Sequence, residues 1–205
     1  MKRVIALLHR HGETDMNAGN KFRSRMDPQL DPHGLKQAVE AAEFLERYDL
    51  ARIITSPMLR AYQTAVITQE SGFTHIHIEQ NRELLPWDLG FMAGKDRDPY
   101  LPILEFFISC PDVVPPEGEC LSNFKMRTEQ FFAREFEEAE GLNLYVCHTS
   151  NIVSLNNILN NNEDLKPEIG ESVGPGGVVA IVEGAHGLEM EPVWGIEKKA
   201  EYGVS

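Results

Sequence analysis

The feature that most constrains this chain is the apolar run Val4-Ile5-Ala6-Leu7-Leu8, which passes through His9 into Arg10-His11-Gly12-Glu13-Thr14. A short β-branched run that stops at a Gly-containing polar segment predicts a buried strand emptying into a loop at the carboxyl edge of a sheet. In α/β folds that edge binds ligands. An imidazole beside a guanidinium, with Gly12 letting the backbone come close and Asn17 just beyond Thr14, makes a chemically sensible phosphate pocket. The arginine offers a planar fork that matches phosphate oxygens, and a neutral imidazole nitrogen can attack phosphorus.

The same arrangement recurs later. Leu142-Asn143-Leu144-Tyr145-Val146-Cys147 predicts a strand that delivers His148-Thr149-Ser150, and Ile152, Leu155, Ile158 and Leu159 mark the helix that follows. Between the two histidines, Asp31 as N-cap and Pro32 at the first helical position start a helix with Leu35, Ala38, Val39, Ala42 and Leu45 on one face. Ile53-Ile54-Thr55 is the next strand. Ser56-Pro57 opens another helix that ends near Gly72 and carries Arg60 in its first turn, at a strand's carboxyl end.

His75-Ile76-His77-Ile78 alternates as a half-buried strand should, with its two histidines read as exposed side chains on a polar face rather than metal ligands. From Arg82 to Pro116 the chain is rich in prolines and aromatics. This predicts a long excursion, helical around Leu101 to Ser109, that lies over the site and shapes specificity. Leu121, Phe124, Phe131, Phe132 and Phe136 outline a core-facing helix stripe. The final third holds Asn160-Asn161-Asn162, a turn-rich Gly170 to Gly177 segment, and strands over Val178 to Val182 and Leu188 to Trp194. Strand and helix alternate throughout, so the fold class is α/β, a three-layer α/β/α sandwich around a mainly parallel sheet. Its 205 residues suit a single domain with a full core and no need of metal or disulfide staples.

Composition excludes several classes. The formal net charge of -13 repels nucleic acid and anionic membranes, so a pocket for a phosphorylated substrate has to be a local basic island in an acidic surface. Cys110, Cys120 and Cys147 are scattered without CxxC spacing, which suits free thiols in a reducing cytoplasm. A thiol phosphatase needs Arg six positions after its Cys, where this chain has Pro116, Met126 and Val153. No HExxH or comparable spacing supports a metallohydrolase built from His9, His11, His75, His77 and His148. Arg10, His11, Arg60 and His148 therefore converge at one sheet edge. Two guanidiniums neutralise a phosphoryl group, one imidazole attacks in line, and the other donates to the equatorial oxygens, a division of labour that requires no metal or other cofactor.

With these residues in place the chain resembles the histidine phosphatase superfamily, the phosphoglycerate mutase-like proteins. The resemblance is carried by Arg10-His11-Gly12-Glu13-Thr14 with Asn17, by Asp27 with Leu30 and Gly34, by Ser56-Pro57-Met58-Leu59-Arg60-Ala61 with Thr64-Ala65, by Gly118-Glu119-Cys120, and by His148-Thr149 after a strand. It implies that His11 becomes a transient phosphohistidine, that Arg10, Arg60 and His148 bind the phosphoryl group, and that Asn17 assists. The family's general acid is usually a Glu at the position held here by Pro86, which leaves Glu83 and Asp88 as the nearest candidate donors. A bisphosphoglycerate-dependent mutase needs extra cations in the overlying excursion. Between Gly90 and Pro116 there are only Lys95 and Arg97, diluted by Asp96, Asp98 and Glu105. The expectation is thus a phosphatase acting on a phosphorylated small molecule or phosphoprotein. The alternatives are mutase-type transfer and a catalytically weak module that binds a phosphorylated ligand.

Overall fold

The computed structural model describes residues 2–161 and 173–196. In chain order the elements are β1 (Val4–Arg10), α1 (Asp15–Ala18), α2 (Pro32–Leu45), β2 (Leu50–Thr55), α3 (Leu59–Gly72), β3 (Ile78–Gln80), α4 (Arg97–Ser109), α5 (Leu121–Glu137), β4 (Leu142–Cys147), α6 (Thr149–Leu159), β5 (Val173–Glu183) and β6 (Leu188–Ile196). The strands form one mixed sheet in the order β3-β2-β4-β1-β5-β6. The four from β3 to β1 run parallel, β5 is antiparallel to β1, and β6 is antiparallel to β5.

Alternation along the strands builds a core on each face of the sheet. Leu7, Ile53, Leu144, Val146, Val178 and Ala180 meet Ala41, Phe44 and Leu45 of α2 and Ala61 and Ala65 of α3. On the other face Ala6, Leu8, Ile54, Tyr145, Cys147, Val179 and Ile181 meet Phe131 and Phe132 of α5 and Ile152 and Leu155 of α6. The result is the three-layer α/β/α sandwich. Phe131 is fully buried, and truncating such a ring to alanine costs about 3–5 kcal/mol. The stripe read on α5 splits between two jobs. Phe131 and Phe132 pack on the sheet, whereas Leu121 and Phe124 join Phe22, Trp87, Leu89, Met92 and Phe107 in a smaller core beneath the excursion.

Four boundaries differ from the sequence reading, each for a local reason. Ser56 does not cap α3. Its hydroxyl is 2.8 Å from His148 Nε2, and the helix instead begins at Leu59, whose amide donates to Asp27 Oδ1 at 2.6 Å. The strand expected over His75–Ile78 starts only at Ile78, because the Ile76 amide closes a turn on Phe73 O and Gln69 Nε2 donates to Ile76 O at 2.6 Å. Both histidines are exposed there, while Ile76 is buried. Helix α4 opens at Arg97, ahead of the expected Leu101, since Pro99 in the first turn gives up an amide that has no helical partner anyway.

The fourth difference concerns the stretch read as turns. Residues 173–177 belong to β5, with register shifts against β6 between Val173 and Val178. Two glycines allow this irregular pairing: Gly195 has φ +65, and a Cβ on Gly177 would lie 2.3 Å from Val173 Cγ1 and 2.9 Å from Gly195 O. Gly170 and Asn162 lie outside the described residues. Among the described residues no helix is long and apolar enough to cross a membrane.

Candidate active site

Three adjacent parallel strands, β2, β4 and β1, end at one edge of the sheet and each is followed by a residue of the site. Arg10 pairs with Cys147, and the His11 amide donates to Cys147 O at 3.1 Å, so His11 and His148 leave the sheet side by side. Their rings meet edge to face with centroids 5.1 Å apart. The loop carrying His11 passes so close to the start of α2 that a Cβ on Gly12 would lie 2.3 Å from Gly34 O. Asp31 accepts from the Gly34 amide at 2.7 Å and holds that helix start in place.

His11 is fully buried, and its two nitrogens have different partners. Nδ1 lies 2.7 Å from Gly12 O, and a carbonyl only accepts, so Nδ1 carries the proton. Nε2 is then the lone-pair nitrogen. It accepts from Arg60 Nε at 3.2 Å. The Arg60 guanidinium, 1% exposed, also donates through Nη1 to Met26 O at 2.8 Å and through Nη2 to Ser24 O at 3.1 Å. It ties the loop after α1 to His11.

A cavity of about 130 Å³ opens over these groups, lined by His11, Arg60 and His148 together with Lys21, Arg23, Arg97, Pro86, Trp87 and five others. The electrostatics follow from burial among cations. The pKa of His11 is held well below the ordinary imidazole value by burial first, then by Arg60, His148, Arg23 and Arg10. His148 is held down in the same way by burial, then by Arg60, Arg23 and Arg10. Burial, reinforced by Arg23, lowers Arg60 to about 9, and burial with repulsion from Arg97 lowers Arg23 to about 10. In each case burial is the larger cause and repulsion among the clustered cations adds to it, a repulsion that a bound anion would relieve.

The residues singled out by sequence are only partly assembled here. His11, Arg60 and His148 line the cavity. Arg10 does not line it; its Nη1 donates to Val173 O at 2.5 Å, and it reaches the imidazoles through its field. Asn17 lies outside the lining as well, and its Oδ1 accepts from the Thr14 amide and hydroxyl at 3.2 and 2.8 Å, closing the first turn of α1.

Neither candidate acid lines the cavity. Glu83 is ion-paired with Arg134 at 2.6 Å on the surface. Asp88 Oδ1 takes Ser24 Oγ at 3.2 Å and the Gly90 amide at 3.1 Å, while its other oxygen lies 3.3 Å from Arg25. The Gly118-Glu119-Cys120 element braces the excursion: Glu119 pairs with Arg127 and Arg25, and its carbonyl accepts from Trp87 Nε1 at 2.8 Å.

The cations Lys21, Arg23 and Arg97 were not read as site residues. One signal for the first two lies in the chain itself, since Lys21-Phe22-Arg23 alternates and only Phe22 is buried in the apolar cluster. Arg97 joins them because the excursion pairs with this loop. Lys21 bridges Asp96, and the Arg97 amide donates to Asn20 O at 2.9 Å.

A family model of the histidine phosphatase superfamily (branch 1) matches residues 6–171. The chain belongs to that superfamily. Among its relatives, an uncharacterized phosphatase, PhoE, of Bacillus subtilis is 32% identical over 120 residues, which cover 58% of each chain. A 2,3-bisphosphoglycerate-dependent phosphoglycerate mutase of Nitrobacter hamburgensis is 31% identical over 144 residues, covering 66% of this chain and 69% of the mutase. The match spans about half the length of several of these relatives, 58% of PhoE and 42% of a bifunctional protein of Mycobacterium tuberculosis. In three dimensions a mycobacterial glucosyl-3-phosphoglycerate phosphatase bound to VO3 superposes with a TM-score of 0.77 at 23% identity, over 96% of this chain and all of the other, which establishes the shared fold.

Proposed function

We propose that this histidine phosphatase hydrolyses phosphorylated small molecules through a transient phosphoryl group on His11, without a metal. The observation that carries this reading is the tautomer of His11. With Nδ1–H committed to Gly12 O, the Nε2 lone pair is directed toward Arg60 in a cationic cavity. The lone pair forms the N–P bond while the bond from phosphorus to the leaving oxygen breaks and its electron pair departs with that oxygen. The positive charge left on the imidazole is spread toward Gly12 O. Arg60 and His148 hold the equatorial oxygens as charge develops, and Arg10 contributes from behind the strand end. Asn17 acts by fastening Thr14 and thus the loop that carries His11. Water then attacks phosphorus, the N–P bond returns its pair to Nε2, and the water proton passes to solvent.

Lys21, Arg23 and Arg97 favour a second reading, phosphoryl transfer between two positions of a multiply charged substrate. The expectation that the excursion is too poor in cations for this counted only residues beyond Gly90, whereas two of the three precede it. The two readings separate by product. Incubated with 4-nitrophenyl phosphate in EDTA, the protein should release inorganic phosphate, and with 3-phosphoglycerate any release of phosphate should outpace isomerisation. Net isomerisation of phosphoglycerate faster than phosphate release would establish the mutase reading instead. Activity that vanishes in EDTA and returns with zinc would defeat both.

A further inference from the structure

We propose that this site serves phosphoryl groups whose leaving oxygen departs as a stable anion, in acyl phosphates and phosphoanhydrides, rather than alkyl phosphate esters. The inference rests on the phosphohistidine reading above and adds a substrate class to it. Its basis is the lining of the cavity, which contains no aspartate and no glutamate among the described residues. When phosphate leaves an alcohol, the departing alkoxide is strongly basic, and a positioned proton donor contributes roughly a hundred- to ten-thousand-fold in rate. An acyl phosphate releases a carboxylate and an anhydride releases a phosphate. Neither leaving group needs a proton.

The walls show why no carboxyl group reaches in. Pro86 and Trp87 form one side of the cavity, with the Trp87 amide donating to Ser150 Oγ at 3.3 Å, which sets the excursion against the loop of His148. The two carboxyl groups that flank this wall in sequence are both committed elsewhere. Glu83 faces Arg134, and its carbonyl accepts from Arg127 at 2.6 Å. Asp88 is held by a hydroxyl, an amide and Arg25, so turning it inward would break three interactions that shape the loop carrying Ser24. Of the other donors in the lining, the hydroxyls of Thr149 and Ser150 are far too weakly acidic to protonate an alkoxide before the phosphate bond has broken, and the Lys21 ammonium is drawn toward Asp96, 4.0 Å from its Oδ1.

What the cavity provides instead is positive charge. The Arg23 guanidinium makes no hydrogen bond or ion pair among the described residues, and Arg23 lines the cavity together with Lys21 and Arg97. Arg97 lies over the Phe22 ring, 5.5 Å from its centroid, with its backbone fastened to the Asn20 carbonyl. Guanidiniums placed beyond the reacting phosphoryl group stabilise negative charge on the departing group without giving up a proton. This favours a leaving group that carries its own charge, so an anhydride gains more from Arg23 than a simple acyl phosphate does.

The test is the dependence of kcat/KM on leaving group, since this constant reports the step in which the phosphorus–oxygen bond breaks. The series is acetyl phosphate, pyrophosphate, 4-nitrophenyl phosphate, phenyl phosphate and propyl phosphate, each measured with wild type, His11→Ala, Glu83→Gln and Arg23→Met. The expected result is a fall of at least about a hundredfold from the good leaving groups to propyl phosphate, the span a missing acid leaves uncovered. Glu83→Gln should leave that span unchanged. Arg23→Met, which loses no hydrogen bond, should lower pyrophosphate turnover roughly tenfold more than acetyl phosphate turnover, the loss of one charge-assisted contact. Equal losses on the two would overturn the preference for an anhydride over an acyl phosphate. A span below about a hundredfold with full dependence on His11 would overturn the inference while leaving the phosphohistidine reading intact. Turnover that persists in His11→Ala would overturn both.

Discussion

His11→Ala is expected to lower kcat on 4-nitrophenyl phosphate by a factor on the order of 10⁵, the scale of removing a catalytic nucleophile. The size follows from the geometry. Nε2 is the one buried nitrogen lone pair of defined tautomer that Arg60 faces, and no thiolate competes, because burial raises Cys147 to about 12. His148→Ala removes a donor to the phosphoryl oxygens instead, which costs about 10²–10³. Both variants should stay folded, since each loses a buried imidazole whose charged form the native state already disfavours.

As the proposed nucleophile, His11 should also work over a wider pH range than a free histidine. With its pKa held well below the ordinary value of about 6.5, His11 remains neutral in mildly acidic solution. Wild-type kcat/KM should therefore be nearly level from pH 7.5 to pH 5.5. An unshifted histidine would lose about tenfold over the same interval.

Acidification should instead act on the fold. His9, His11 and His148 are all buried, and in each the folded-state pKa is depressed, His9 to about 4 by burial that the Gly176 backbone only partly offsets. Below about pH 6.5 the unfolded chain takes up these protons and the folded one does not. Stability therefore rises with pH through this window: the neutral-histidine contribution is fully present above the unfolded pKa and is lost as pH falls toward the folded values. Three such groups amount to about 4 kcal/mol between pH 7.5 and pH 5.5, a large share of the roughly 5–15 kcal/mol that holds a domain together. Urea unfolding at the two pH values measures it. A difference below about 1 kcal/mol would show that these imidazoles are hydrated or paired.

The parts legible in the sequence are those set by local pattern. Apolar runs ending in histidine predict strand ends, and two parallel strands that end together bring His11 and His148 into contact whatever lies between them. Arg60 is legible for the same reason, in the first turn of the helix after β2. Contributions from distant segments are not local and were missed. Asp27 caps a helix that Ser56 was expected to cap, because the Ser56 hydroxyl is engaged by His148 across the sheet edge. Arg97 enters the site through a single bridge between Lys21 and Asp96. The orientation of carboxylates is equally non-local. Glu83 and Asp88 flank Pro86 in sequence, yet Arg134 and Arg25, which draw them away from the cavity, come from α5 and the loop before α2.

The measurement that bears most directly on the central claim is the location of the phosphoryl group during turnover. Protein mixed with ³²P-labelled acetyl phosphate or aryl phosphate, quenched within milliseconds in alkali and digested, should carry label on the peptide containing His11. That label should survive base and be lost in acid, and it should be absent from His11→Ala. Label that survives acid, or that maps to Ser24, Thr149 or Ser150 of the same pocket, would contradict the account.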